Sequence, residues 1–379
     1  MHFIILVFLV ALTVILPSAQ TYRTVPEGSI KWKIRLGEEL NSPAIGPDGT
    51  IYVVSREKQD QCYASGCCYL CALTPEGTLK WKFLITNKCS TPMPSMPVID
   101  ENGIIYVADS DGVYAVNPNG TLRWKFPGKN EYVPPAAPVI GHDGTVYAAF
   151  ATGALYALKE EKGFLRVKWK CIIEGMSTSG LALDKDGTIY ISSFNAKSYD
   201  AALYAVSLDG KIKWEYQFPG KRNIPGPPAI GNGLIYVACG SDLYCFSADG
   251  ELKTKWRFFL STPFYSVIND DETVYVSGDG FLYALTVEGV KWKYDLRVSS
   301  YRASSPVIGK DGIIYFAFPT MFLALNPDGS KRWEVIILNS DRGSPPSPVI
   351  APDGTLYVAT TLGSLYAIHS SSLGLSDSP

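Results

Sequence analysis

The chain has 379 residues and a formal net charge of −2. Because contacts to nucleic-acid phosphates need a clear basic excess, this balance argues against a general nucleic-acid-binding protein. Apolar side chains make up 46% of the chain, which is enough for a large core. The 23 Tyr, 34 Gly and 26 Pro residues indicate strands and turns rather than helices.

An apolar segment opens the chain at residues 3–16, and the small residues Ser18 and Ala19 follow it. This pattern predicts a secretory signal peptide over residues 1–19. The segment is short for a membrane span of about 20 residues, and an uncleaved anchor is the alternative. No second stretch is long enough to cross a membrane after cleavage. We therefore expect an extracytoplasmic protein, secreted, periplasmic or held at the cell surface.

Eight tryptophans recur along the chain in similar local contexts, each close to Lys or Arg. Every period also contains a Pro-containing segment, a Tyr-Val segment and a Leu-Tyr-Ala-Leu segment, separated by Gly-containing turns. Periods of this size with turn-rich strand signals predict a β-propeller. We expect each indole to wedge between neighbouring blades against a small Ala. The tryptophans are Trp32, Trp81, Trp124, Trp169, Trp214, Trp256, Trp292 and Trp333.

Four segments per period predict four strands per blade, which we name A (Pro-containing), B (Tyr-Val), C (Leu-Tyr-Ala-Leu) and D (Trp). The chain begins with a lone D strand at residues 30–35 and ends with strands A, B and C. The eighth blade must therefore combine both termini, which removes an open edge. We expect an all-β, monomeric propeller of eight four-stranded antiparallel blades over residues 30–369. A lead at 20–29 precedes it, and a flexible tail at 370–379 follows it.

The segment from Ala72 to Trp81 reads Ala-Leu-Thr-Pro-Glu-Gly-Thr-Leu-Lys-Trp. It resembles the Ala…Gly…Trp docking motif of the pyrroloquinoline-quinone (PQQ)-like propellers. That family includes quinoprotein alcohol dehydrogenases and the outer-membrane assembly factor BamB. The resemblance covers essentially all of the mature chain, and it implies a fold while leaving the activity open.

The loops of a propeller divide between two faces. The A–B and C–D turns are mostly short, whereas the B–C and D–A loops on the other face are longer and more varied, so we expect function there. Basic residues in these loops either form an anion-binding surface or are solvated charges. The candidates are Lys88, Lys129, Arg222, Arg302 and Arg342.

Four of the eight cysteines fall in two loops of that face, in the first blade and just after it: Cys62, Cys67, Cys68 and Cys89. Two disulfides that staple these loops are one interpretation, with the connectivity open. A site of four thiolates for a metal is another. We expect the other four to be buried thiols. They are Cys71, Cys171, Cys239 and Cys245.

The resemblance to quinoprotein alcohol dehydrogenases suggests a third interpretation of these cysteines. Those enzymes carry a vicinal disulfide that stacks on PQQ, and Cys67-Cys68 resembles that pair. They are, however, much longer, and their inserted segments hold calcium ligands and a catalytic Asp that have no counterpart here. The three histidines also fail to supply a Ser-His-Asp triad or a His-based metal site.

These observations favour a noncatalytic scaffold that binds a protein or a cell-surface polymer and needs no cofactor. Two alternatives stay open. One is a small quinoprotein oxidoreductase that uses PQQ and calcium to oxidise an alcohol or sugar. The other is an extracytoplasmic sensor for a sugar or another ligand.

Overall fold

The computed structural model describes residues 26–58, 62–63, 65–89, 93–128, 136–173, 177–195, 197–220, 224–257, 266–269, 271–278, 280–296, 303–318, 320–337 and 345–370. These residues form eight antiparallel sheets arranged as the blades of a propeller. Seven sheets have four strands, and blade 1 has a fifth, Glu39–Leu40, which pairs with its strand B. The expected eight-bladed propeller is confirmed. Within the described ranges, no helix is long and apolar enough to cross a membrane.

The four strands of each blade follow the predicted order. The A strands of blades 1 to 8 are Ala44–Ile45, Val98–Ile99, Val139–Ile140, Ser177–Leu183, Ala229–Gly231, Ser266–Ile268, Val307–Ile308 and Val349–Ile350. The B strands are Ile51–Glu57, Ile105–Asp109, Val146–Ala149, Ile189–Asn195, Leu234–Cys239, Val274–Gly278, Ile314–Ala317 and Thr355–Ala359. The C strands are Cys67–Leu73, Gly112–Val116, Ala154–Glu161, Asp200–Val206, Asp242–Ser247, Phe281–Thr286, Met321–Leu325 and Ser364–His369. The D strands of blades 1 to 7 are Leu79–Thr86, Leu122–Pro127, Phe164–Ile172, Ile212–Phe218, Leu252–Arg257, Gly289–Asp295 and Lys331–Ile336, and that of blade 8 is Ile30–Arg35.

Burial within a blade follows the position of the strand. Strand C of blade 2 is buried throughout, because neighbouring blades cover both faces of the inner strands. Strand D of the same blade alternates between exposed and half-buried residues, since it is the outer edge. One core cluster joins Val54 and Leu70 of blade 1 to Val107 of blade 2. The cores therefore lie between blades and hold the ring together.

In six of the eight D strands a tryptophan reaches across to the next blade, as Trp81 of blade 1 illustrates. Trp81 lies opposite Ala72 in the sheet, and its ring lies 5.8 Å from that of Tyr52. Its indole N–H donates to the carbonyl of Pro118 in the C–D turn of blade 2, at 2.9 Å. A Cβ on Gly120 of that turn would lie only 2.8 Å from the ring. Ala72 therefore lies beside the Trp81 ring within the same blade, and Gly120 of the next blade packs against that ring.

Six indoles donate to carbonyl oxygens of the next blade at 2.7 to 3.2 Å: Trp32, Trp81, Trp169, Trp214, Trp292 and Trp333. The rings are half-buried, except for the buried ring of Trp333. Trp124 packs in a core cluster with Leu158 and Leu165 of the extended hairpin of blade 3, which turns at Lys162 and Gly163. There an ion pair between Arg123 and Glu160 joins blades 2 and 3.

Trp256 departs from the expected common context. In blade 5, Thr254 lies opposite Cys245, the position that Ala and Trp occupy in the other blades. Trp256 lies two residues later, opposite Leu243, and its ring stacks on Tyr236 at 6.2 Å. Side chains two residues apart in a strand share a face, so the indole still packs on its own blade.

The two termini close the ring as predicted. Ile30–Arg35 pairs with Ser364–His369 in blade 8. Gly28 lies against the ring of Trp333, whose N–H donates to the carbonyl of Ser370. The contacts of the propeller therefore extend beyond residues 30–369 at both ends.

A bidentate ion pair strengthens this closure. Both oxygens of the Glu27 carboxylate accept from the guanidinium of Arg332 in blade 7, at 2.6 Å each. Paired parallel N–H···O bonds of this kind are among the stronger side-chain contacts. Residues at the N-terminal end thus bridge blade 7 to blade 8.

We expect Gly120→Ala to destabilise the protein more than Gly163→Ala. Both glycines have positive φ, of 86° and 79°, where an L residue costs about 1–2 kcal/mol. A Cβ at position 163 would meet no atom within 4 Å, whereas one at 120 would collide with Trp81. Urea unfolding measures both free energies. Equal losses would contradict a role for the indole–glycine contact.

We also expect a chain that begins at Leu36 to lose cooperative unfolding and to aggregate. It lacks the partner of Ser364–His369 and exposes an unpaired strand edge. The matched control begins at Pro26 and keeps the closing strand. Thermal melts and size-exclusion chromatography compare the two, and identical behaviour would refute closure by the terminal strand.

Candidate interaction face

The face that carries the A–B and C–D turns is occupied by internal contacts. In the A–B turn of blade 3, both the backbone N–H and the hydroxyl of Thr145 donate to Asp143. Burial opposes ionisation of Asp143, but these bonds together with Lys159 and Lys168 outweigh it and lower its pKa to about 2. Similar Asp–Thr–Lys contacts occur in other blades, including Asp48, Thr50 and Lys80 in blade 1. These Asp side chains therefore have their partners within the propeller.

The opposite face carries the B–C and D–A loops, and in blade 1 two disulfides staple them. Cys62 bonds to Cys67 within the B–C loop, and Cys68 bonds to Cys89 of the D–A loop. The backbone N–H of Cys89 also donates to the carbonyl of Gly66, at 2.9 Å. The sequence left several interpretations of these four cysteines open. The structure has the two disulfides, and it shows which cysteines pair.

The stapled loops present one aromatic ring and one cation side by side. Tyr63 is 54% exposed, and the Nζ of Lys88 lies 4.3 Å from the centre of its ring. The backbone N–H of Tyr63 donates to the carbonyl of Asn87, which ties the two loops together again. Lys88 is the one candidate basic residue within the described ranges. Lys129, Arg222, Arg302 and Arg342 lie outside the described residues.

The disulfide pairing of Cys67 and Cys68 can be compared with what a quinone site or a metal site would require. Each of the adjacent cysteines Cys67 and Cys68 is bonded to a more distant one, so the bond between them that a vicinal disulfide requires is not formed. In the part of the chain that the structure describes, no group of three or more His, Cys, Asp or Glu side chains could hold a metal ion.

The other four cysteines are buried thiols. Burial raises the pKa of Cys71 to about 11, although a hydrogen bond with Ser55 and nearby Lys82 oppose this shift. Burial also raises the pKa of Cys239 to about 12. Because the thiolate is the reactive form, these residues are poor nucleophiles.

We expect peptide mapping without reduction to find Cys62 linked to Cys67 and Cys68 linked to Cys89. The bond between Cys68 and Cys89 closes the longer loop, and its loss through Cys68→Ser/Cys89→Ser should cost about 2–4 kcal/mol in urea unfolding. Cys171→Ser is the control for replacing a cysteine with serine, because Cys171 is a free thiol and forms no disulfide. A Cys67–Cys68 bond, or four free thiols, would overturn the stapled loop.

Solved structures show the same fold at low sequence identity. Sqt1 from Chaetomium thermophilum, bound to the N-terminus of ribosomal protein L10, is 10% identical with a TM-score of 0.71, covering 91% of this chain and 100% of that chain. Virginiamycin B lyase from Staphylococcus aureus is 13% identical with a TM-score of 0.56, covering 73% and 94%. The computationally designed protein Ika8 is 11% identical with a TM-score of 0.63, covering 88% and 97%. An interaction protein and a lyase thus share this architecture, so the likeness shows the fold alone.

No curated protein matches the sequence at a significant level. A family model does match, and its description is outer membrane protein assembly factor BamB. It matches residues 22–202 and again residues 200–374, so the two matches span nearly the whole propeller. The disulfides and this family are compatible with an extracytoplasmic location. The chain belongs to the BamB-like family of PQQ-like eight-bladed propellers.

Proposed function

We propose that this propeller is a noncatalytic scaffold outside the cytoplasm, which holds a protein or a cell-surface polymer against its B–C and D–A loops. The observation that carries the proposal is the stapled loop of blade 1. Two disulfides and a backbone hydrogen bond fix Tyr63 and Lys88 at the surface. A rigid aromatic ring beside a cation loses little conformational entropy when a partner binds.

The chemistry of the two faces supports this orientation. Several A–B turns hold an Asp side chain in contacts within the propeller, as at Asp143. The stapled loop instead exposes Tyr63, and aromatic residues are enriched at interfaces. The family description names an assembly factor, and one structural neighbour is bound to a segment of another protein. Both fit a scaffold, although a shared fold is an analogy.

Site-directed photo-cross-linking tests which face binds. We expect a benzoylphenylalanine at position 63 of the full chain to give a discrete cross-linked product in the cells that export it. The matched control carries the same group at Val287, which is 53% exposed in the C–D turn of blade 6, on the other face. Cross-linking from position 287 alone, or from neither position, would reject this face.

The identified partner then allows a quantitative test. Truncating a central interface aromatic costs about 2 kcal/mol or more, so we expect Tyr63→Ala to weaken binding about 30-fold. Val287→Ala should leave binding unchanged. Turnover of an alcohol or sugar by the purified protein with PQQ and calcium would instead favour the quinoprotein alternative.

A further inference from the structure

A cavity of about 200 Å³ opens between blades 2 and 3, on the face that carries the B–C and D–A loops. Gly128, at the end of strand D in blade 2, forms one side. The other side is blade 3, which contributes Phe150 and Thr152 from its B–C turn together with Tyr156, Lys170 and Ile172. The cavity is distinct from the stapled loop of blade 1.

The base of this cavity is aromatic. The rings of Phe150 and Tyr156 meet edge to face at 5.6 Å, and the ring of Phe126 lies 5.0 Å from that of Tyr156. Phe150 is only 5% exposed, so packing fixes its position. Ile172 adds an aliphatic side chain that is 59% exposed. Ile172 and the half-buried ring of Tyr156 are the apolar surface that a ligand could cover.

Lys170 adds a positive charge to the apolar base, with its Nζ 5.5 Å from the centre of the Tyr156 ring. Lysines in three other blades also lie over a Tyr of strand C, and each has a carboxylate partner. These pairs are Lys82–Glu57 at 2.6 Å, Lys125–Asp111 at 2.7 Å and Lys255–Asp242 at 3.2 Å. In these three blades, a carboxylate of the same blade therefore balances the charge of the lysine.

Blade 3 lacks that acid. Its B–C turn reads Phe150-Ala-Thr-Gly-Ala154, and among the described residues no carboxylate forms an ion pair with Lys170. Lys33 of blade 8 also lies over a Tyr, and the feature that sets blade 3 apart is the cavity beside its lysine. Blade 3 therefore combines a lysine that has no acid partner among the described residues with an open cavity that has aromatic rings at its base.

We propose that this cavity binds a small carboxylic acid with an apolar body, whose carboxylate takes the place of the acid that blades 1, 2 and 5 supply themselves. The carboxylate pairs with Lys170 and the apolar body packs on Phe150 and Tyr156. Thr152 lies at the rim, where its hydroxyl can donate to the second carboxylate oxygen. This site goes beyond the scaffold role and does not depend on it.

An NMR titration of the full mature chain with 3-phenylpropionate tests the proposal, with the uncharged 3-phenylpropanamide as the matched probe. Because a hydrogen bond to a charged group adds about 1.5–3 kcal/mol, we expect the acid to bind at least about tenfold more tightly than the amide. Lys170→Met should reduce the affinity for the acid to that of the amide. Thr152→Asp should do the same, since it supplies a carboxylate beside Lys170.

Lys125→Met is the control, because it removes the equivalent lysine of blade 2, which is already paired with Asp111. It should leave the affinity for the acid unchanged, as should Tyr63→Ala in the stapled loop. Melting temperatures check that each variant is folded, and Lys170→Met keeps the test decisive if Thr152→Asp does not fold. Equal binding of acid and amide, no binding of either, or an unchanged affinity in Lys170→Met would overturn the proposal.

Discussion

The architecture depends on the contact between an indole ring in one blade and a glycine in the turn of the next. The glycine does two things at once, because its positive φ makes the turn and its missing Cβ makes room for the ring. The indole N–H then donates to a carbonyl of the same turn, which fixes the position of one blade relative to the next. Repetition of this contact builds a ring from sheets that cannot bury their apolar faces alone.

Much of this fold could be predicted, because each repeat carries its strand and turn signals locally. The terminal pairing of Ile30–Arg35 also followed, since three strands at one end require a fourth. The register of Trp256 was not predicted, because all eight tryptophans lie in similar local sequence contexts, and a shift of two residues along a strand keeps the side chain on the same face. Thr254 was the overlooked signal, at the usual distance after the turn.

The candidate sites were less accessible to sequence reasoning. Clustering placed four cysteines on one face, but it could not pair them, since pairing depends on distances between loops. The cavity at Lys170 was missed altogether, because it requires the spatial comparison of one lysine in several blades. A signal was nevertheless present, in that the B–C turn around Thr152 has no acid where blades 1, 2 and 5 have Glu57, Asp111 and Asp242.

The closure also orders events during synthesis. Strand D of blade 8 is made first and its partner, Ser364–His369, last, so the opening strand waits while every other blade emerges. The buried face of Trp333 likewise stays uncovered until Ser370 has been added. Early blades can fold as they are synthesised, but the ring closes only when the last strand of the propeller is available. A chain that is still being synthesised is therefore an open arc with an unpaired strand at each of its two ends.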